Sequence, residues 1–325
     1  MSALKNKPVD LLYVPSTVMC TRLPKLPEYQ ISDLSGLAAR CDWFINGSQL
    51  VNITNTEAPT TIFLTGYCGG AGIDYLATQL LPKLTARFIL IVASEDYTFP
   101  NGTGDSRNKT YSQVQDQIAM ILESPLLVHI FVENLDDPNN PKMSPIPLGL
   151  LNPNIKLDIT DSKTLNINMN SKPIKCFCAH RIRSNPIQWD DRKLVRSYCI
   201  GKGPWSKLVK YIDRSIPHPE FIKLLEKAQF SLCVHGGGYD PNPRFTESIL
   251  AGAIPIIQHS PLDKVFARFP VVFVYKWTPD ALTPELLEQK LAELRHYFTD
   301  PEKRREVLKM LTLDYWWPEI MAKLG

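Results

Sequence analysis

Residues 230–277 read FSLCVHGGGYDPNPRFTESILAGAIPIIQHSPLDKVFARFPVVFVYKW, and this stretch decides the fold. Phe230 to Val234 is a short apolar run. His235-Gly236-Gly237-Gly238 ends it with residues that tolerate positive φ and let a ligand approach the backbone. Arg244, Glu247 and Ser248 open a helix expected to run to Ala251, Gly252 stops it, and Ala253 to Gln258 is a second buried strand. The order strand, glycine loop, helix, strand is one unit of a parallel α/β sheet.

The same alternation extends outward from this unit. Apolar runs at Asp10 to Pro15, Thr61 to Thr65, Phe88 to Ala93 and Val128 to Val132 read as strands, with helical stretches at Asp74 to Leu84 and Tyr111 to Leu122 between them. Ile174 to Ala179, Tyr198 to Gly201, Phe230 to Val234, Ile254 to Ile257 and Val271 to Val274 repeat the plan. Short apolar strands alternating with helices predict parallel sheets covered on both faces. The fold class is therefore α/β, with two doubly wound Rossmann-like domains in series. A proline-rich connector, Met143 to Asn154, marks the boundary and is a hinge candidate, so residues 1–150 form the first domain and residues 151–308 the second. Pro284 to Leu308 has the pattern of an amphipathic helix, and the aromatic-rich residues 309–325 are expected to form a terminal helix that packs across the interface.

At 325 residues, 44% hydrophobic and 21% charged, the chain has the composition of a two-domain globular protein without a disorder signature. A formal charge of +3 with interleaved acids and bases argues against dedicated nucleic-acid binding. Met1 to Asp10 carries no signal-like apolar region, and no uninterrupted apolar stretch is long enough to span a bilayer. Seven cysteines, an odd number in apolar contexts, read as reduced. A cytoplasmic location is expected. The four sequons beginning at Asn46, Asn52, Asn101 and Asn108 would matter only if this were a trimmed domain of the Golgi lumen.

A glycine loop leading into a helix offers unpaired N–H groups and partial positive charge, which suits a diphosphate, and Arg244 adds a full charge. Nearly one turn on, the Glu247 carboxylate can accept both hydroxyls of a ribose. Diphosphate plus ribose implies a nucleotide. The pattern of strand, small-residue loop, Arg244, Glu247, helix and Gly252-Ala253-Ile254-Pro255-Ile256-Ile257 resembles the donor site of the exostosin-like, inverting glycosyltransferases. The resemblance is strongest over residues 170–280. Ala93 to Pro100, Phe131 to Leu135 and Ser144 to Leu150 look like that family's acceptor half. Without a membrane anchor the chain is more similar to the soluble versions encoded by large DNA viruses of algae.

The resemblance implies GT-B architecture, a nucleotide-diphosphate sugar donor, UDP as the nucleotide, and transfer with inversion to a glycan or glycoprotein acceptor. The viral likeness would make xylose a reasonable sugar and place the enzyme in the host cytoplasm. Arg181 and Arg183, after the strand Ile174 to Ala179, match the family's strand-then-Arg motif, and Arg192 is a further match. The donor-binding set is Arg181, Arg183, His235, Gly236, Gly237, Gly238, Arg244, Phe245, Thr246 and Glu247.

Glycosyl transfer also needs a base. Glu95 and Asp96 follow the strand Phe88 to Ala93 and so sit at its carboxyl end, with Asp96 preferred; Asp74, after the glycine-rich Gly66 to Gly72, is the remaining candidate. No Asp-x-Asp is present, and Asp136-Asp137 and Asp190-Asp191 are adjacent pairs whose side chains diverge in extended chain. No metal site and no cofactor are expected, with arginines neutralising the leaving diphosphate. Cys176, Cys178 and His180 alternate on one strand face but lack a fourth ligand and a Cys-x-x-Cys spacing, so the zinc reading is weaker than a buried core strand. The rival to an enzyme is a non-catalytic nucleotide-sugar- or glycan-binding module of the same fold.

Overall fold

A computed structural model describes residues 19–66, 70–103, 111, 113–151, 157–159, 161–182 and 190–325. The expected strand Asp10 to Pro15, the site candidate Arg183 and the middle of the Gly66 to Gly72 loop lie outside the described residues.

The first sheet contains β1 (Trp43–Asn46), β2 (Gln49–Asn52), β3 (Thr61–Thr65), β4 (Phe88–Ala93), β5 (Leu127–Val132) and β6 (Met143–Pro145), in the order β2-β1-β3-β4-β5-β6. Neighbours pair in parallel except β1 with β2. Every residue of β3 and β4 is buried, as a sheet covered on both faces requires. The β1–β2 hairpin was not expected. It turns on Gly47 and Ser48, with Gly47 at φ 57°, and the Asn46-Gly47 dipeptide is the local signal for it.

The second sheet contains β7 (Ile174–Cys178), β8 (Val209–Tyr211), β9 (Ala228–Leu232), β10 (Ile254–Gln258) and β11 (Val272–Val274), all parallel, in the order β11-β10-β9-β7-β8. The chain passes from β7 outward to β8 and then crosses back to β9 on the other side of β7. The strand order therefore reverses at β7/β9, and the crevice outside the carboxyl ends there is where open α/β sheets bind ligands.

The helices are α1 (Gly36–Arg40), α2 (Gly70–Tyr75), α3 (Gln115–Glu123), α4 (Ser162–Leu165), α5 (Asp190–Cys199), α6 (His218–Glu226), α7 (Arg244–Leu250), α8 (Asp263–Phe266), α9 (Pro284–Leu294), α10 (His296–Thr299), α11 (Pro301–Lys309) and α12 (Leu313–Met321). Two expectations need correction. Tyr198 to Gly201 is no strand, because Arg192, Val195 and Cys199 fall on one buried face and Tyr198 belongs to α5. Pro284 to Leu308 is broken rather than continuous, since Pro301 starts a new helix capped by Asp300, whose carboxylate accepts from the Glu302 and Lys303 amides. The proline-rich connector begins as the edge strand β6, Met143–Pro145, with Ile146, Leu148 and Leu150 buried behind it.

Most buried apolar side chains between Met19 and Ile320 form one contiguous cluster that includes both sheets, and Ile174, Phe177, Phe221, Leu225, Ala228 and Ala253 form a second, smaller one. The terminal helix α12 touches both halves: Arg40 of α1 pairs with Asp314 at 2.7 Å, and Arg268 pairs with Glu319 at 2.6 Å while stacking on the buried Trp316 ring. No helix among the described residues is long and apolar enough to cross a membrane.

Candidate active site

A cavity of about 890 Å³ opens at the β7/β9 reversal. Ala179–Ile182 leaving β7, Asp213–Ile216 leaving β8, α5, and the start of α7 line it. Its walls are basic. Arg196 is held by Asp213, with Nε to Oδ1 at 2.6 Å, and Arg214 by Glu220 at 3.1 Å. Arg244 is different: its Nη1 donates to the Asn242 side-chain oxygen at 2.9 Å, and among the described residues no carboxylate pairs with it. The buried Arg192 donates from Nε to the His235 carbonyl at 3.0 Å and from Nη1 to the Arg181 carbonyl at 3.1 Å. Burial, and then the nearby Arg244 charge, bring the Arg192 guanidinium down to about 9; burial also lowers Arg244. A buried and a half-buried guanidinium that repel each other favour an anion between or beside them.

On the same helix as Arg244, Glu247 of α7 accepts a hydrogen bond from His218 Nε2 at 2.8 Å, and the His218 ring stacks on Phe221. Cations, an acid–imidazole pair and a flat ring share one cavity, which can take an anionic group, a diol and a planar or apolar group together.

The glycine loop departs from expectation. None of Gly236, Gly237 and Gly238 has positive φ, all three are buried, and none lines the cavity. A Cβ on Gly238 would collide with the Asn134 side chain and lie 2.7 Å from the Asp96 carbonyl oxygen. The close approach that requires glycine is thus to the first half of the chain. The start of α7 also spends its own donors, since the Asn242 side-chain oxygen accepts from the Arg244 amide at 3.1 Å. Arg181, Arg244 and Glu247 line the cavity, with Arg181 exposed at its rim. Phe245 turns into the core against Phe266 and Phe269, Thr246 is buried, and His235 pairs with Asp191 at 3.2 Å. Burial lowers the pKa of His235 against the pull of Asp191.

On the facing side, Glu95 and Asp96 follow β4 and Glu133 and Asn134 follow β5, so carboxyl ends of the two sheets meet. Arg22 joins them. Its guanidinium contacts Asp96 Oδ1 at 2.7 Å, Glu133 Oε1 at 3.1 Å and Asp240 Oδ2 at 3.0 Å. Asn134 donates from Nδ2 to Asp240 Oδ2 at 3.1 Å and to the Glu95 carbonyl at 3.0 Å, and accepts from the Asp240 amide at 2.9 Å. The Ser94 amide donates to Glu133 Oε2 at 2.9 Å, and Ser94 adopts φ 73°, rare for a residue with a side chain. Burial raises Glu133 to about 7 despite the Arg22 charge, and Asp240 adds to the rise. Burial opposes the charge on Arg22, but Glu133, Asp240 and Asp96 together hold it well above its ordinary value.

Asp74 stands apart from this group: it is exposed on α2 and accepts from Gln117 Nε2 at 3.0 Å. Of the acidic pairs, Asp136 accepts the Asn101 and Thr103 amides, Asp190 pairs with Lys193, and Asp191 with His235. Among the described residues no cluster of His, Cys, Asp and Glu could hold a metal ion. Cys178 contacts His180 at 3.4 Å, but His180 is committed through Nε2 to the Arg192 carbonyl at 2.8 Å, and burial brings it down to about 3. Arg22, His218 and Asp240 were missed by the sequence reading. Arg22 and Asp240 act through partners at least 74 residues away or in non-periodic loops, so no local spacing betrays them.

No protein-family model matches the chain, and no curated protein does. Among solved structures it is similar to LpCGTa in complex with UDP, with 10% identity over 81% of this chain and 76% of the other and a TM-score of 0.38. It is also similar to the pneumococcal O-GlcNAc transferase GtfA in complex with UDP and GlcNAc, with 11% identity over 86% of this chain and 58% of the other and a TM-score of 0.38. The calicheamicin glycosyltransferase CalG4 matches with 10% identity over 83% and 77% of the two chains and a TM-score of 0.36. At that level the likeness assigns no residue, substrate or reaction to this chain.

Proposed function

We propose that the chain is a glycosyltransferase of GT-B architecture that takes a sugar from a nucleotide diphosphate. The observation that carries this reading is the basic cavity at the β7/β9 reversal, with the buried Arg192 and the half-buried Arg244 near each other and Glu247 in the same space. The arginines receive the diphosphate and Glu247 the ribose hydroxyls. UDP as the nucleotide, a pentose such as xylose as the sugar, and a glycan or glycoprotein acceptor follow from the sequence resemblance. So does inversion.

In the proposed reaction, the acceptor oxygen attacks the anomeric carbon as the carbon–oxygen bond to the diphosphate breaks. The acceptor proton passes to Asp96, and the electron pair of the broken bond stays with the diphosphate, whose charge the arginines stabilise without a metal. Glu95 is the second choice for the base; its Oε1 accepts the Asp96 amide at 2.7 Å. The rival reading, a binding module without turnover, is favoured by one observation: the Asp96 carboxylate is already engaged by the Arg22 guanidinium at 2.7 Å. The two are separated by incubating the protein with a panel of UDP-sugars and glycan acceptors. Acceptor-dependent UDP release supports the enzyme, and binding without release supports the module.

A further inference from the structure

Arg22 belongs to no described helix or strand, yet its three guanidinium nitrogens each meet a different carboxylate, contributed by the β4 end, the β5 end and the loop after β9. Glu133 and Asp240 are 1% exposed, while Arg22 and Asp96 retain 16% and 21%. The partly open end of the network is therefore the Asp96 end. We propose that Arg22 is a positioning residue: it fixes the Asp96 carboxylate at the crevice and, through Asp240 and Asn134, sets it in register with the loop that leads to Arg244. The proposal rests on the reading of Asp96 as the base.

Three features support it beyond the ion pairs. Asn134 grips Asp240 from both sides, accepting its amide and donating to its carboxylate, so the loop between β9 and α7 is fastened to the end of β5 by backbone and side chain together. Gly238 fits against Asn134 and the Asp96 carbonyl with no room for a methyl group, which leaves the two halves one arrangement at this point. Asp240 then holds Asn242 by its amide at 2.7 Å, and Asn242 holds Arg244. A side-chain chain of contacts thus runs from the proposed base to the proposed diphosphate site.

The charges around Asp96 are Arg22 in contact, Arg192 across the loop, the acids Glu133, Asp240 and Glu95, and Lys25, which pairs with Glu95 at 3.7 Å. Arg22 contacts the Asp96 carboxylate directly. Its removal takes away that contacting charge and leaves Arg192 and Lys25 at longer range, and a carboxylate that loses an adjacent arginine rises by roughly 1–3 pH units.

The test compares wild type, Arg22→Ala and Arg22→Lys by UDP calorimetry, by the pH profile of UDP release from a UDP-sugar, and by amide hydrogen exchange. Arg22→Ala is expected to keep the UDP Kd within about threefold, because Arg22 does not line the cavity, while turnover falls at least ~10-fold and the acidic limb of its pH profile moves up by about 1 unit or more. Arg22→Lys should restore the limb. Without reference to activity, exchange of the Ser94 and Asp240 amides, one in each half, should accelerate together in Arg22→Ala and much less in Arg22→Lys. A limb that stays in place, or a UDP Kd that worsens as much as turnover, overturns the positioning role. Unchanged exchange at both amides overturns the coupling of the halves. If wild type neither binds UDP nor releases it from any UDP-sugar while both amides still respond, the function reading fails and the coupling stands.

Discussion

Replacing Glu133 with glutamine tests the charge balance at the meeting point of the two halves. Glutamine keeps the shape but has no proton to lose, and its amide nitrogen cannot accept one of the two hydrogen bonds that Arg22 Nε and the Ser94 amide donate, one to each oxygen of Glu133. Glu133 is 1% exposed and is raised from an ordinary 4.5 to about 7, chiefly by burial. Below pH 4.5 the folded and unfolded chains both hold the proton. Between 4.5 and about 7 the unfolded chain releases it while the folded chain keeps it, so stability falls with rising pH, by at most about 1.4 kcal/mol per unit, and levels off above 7. Between pH 5 and pH 8 this amounts to about 2–3 kcal/mol. Urea unfolding of wild type and Glu133→Gln at both values measures it, because titrating groups that do not interact with Glu133 cancel in the difference. The variant should gain about 2–3 kcal/mol on wild type from pH 5 to pH 8, whatever constant offset the lost charge on Arg22 introduces. A stability difference that is flat across this range, within about 0.5 kcal/mol, would refute the argument that burial outweighs Arg22 at this carboxylate.

Gly238→Ala should lower the melting temperature through overpacking of about 1–3 kcal/mol, because Asn134 and the Asp96 backbone cannot both withdraw; a melt within a degree of wild type would mean that the contact yields. UDP release from the donor sugar should survive EDTA, and activity lost on chelation and regained with Mn²⁺ or Mg²⁺ would replace arginine neutralisation with metal chemistry. Glu247→Ala should weaken UDP binding by roughly 1.5–3 kcal/mol, the range for a hydrogen bond to a charged group, and unchanged UDP affinity in the folded variant would remove Glu247 from the ribose.

Much of the second sheet was legible because its signals are local. Gly252 takes φ 73° just past the Ala251 cap of α7, and β10 follows with the apolar residues Ile254 to Ile257, so residue types alone delimit both. Tyr198 to Gly201 misled because aromatic and β-branched residues outweigh the helical spacing of Arg192, Val195 and Cys199 in a short window. The cavity was half legible. Arg181, Arg244 and Glu247 follow strand ends in sequence, and the structure brings them to one space. What the glycines do was not legible, since a glycine required by φ and one required by a neighbour read alike. Gly238 is of the second kind, and its neighbour Asn134 lies in the other half of the chain. His218 was equally hidden: it starts α6 behind Pro217 as an ordinary polar residue, and only packing of α6 beside α7 sets it on Glu247.

The claim that the cavity at the β7/β9 reversal holds a nucleotide diphosphate is tested most directly by calorimetric titration of wild type and Arg244→Ala with UDP and with uridine. The account predicts that wild type binds UDP more tightly than uridine, and that Arg244→Ala costs UDP about 1.5–3 kcal/mol while leaving uridine nearly unchanged. Equal losses for the two ligands would give Arg244 a packing role, and absence of UDP binding to wild type would contradict the account.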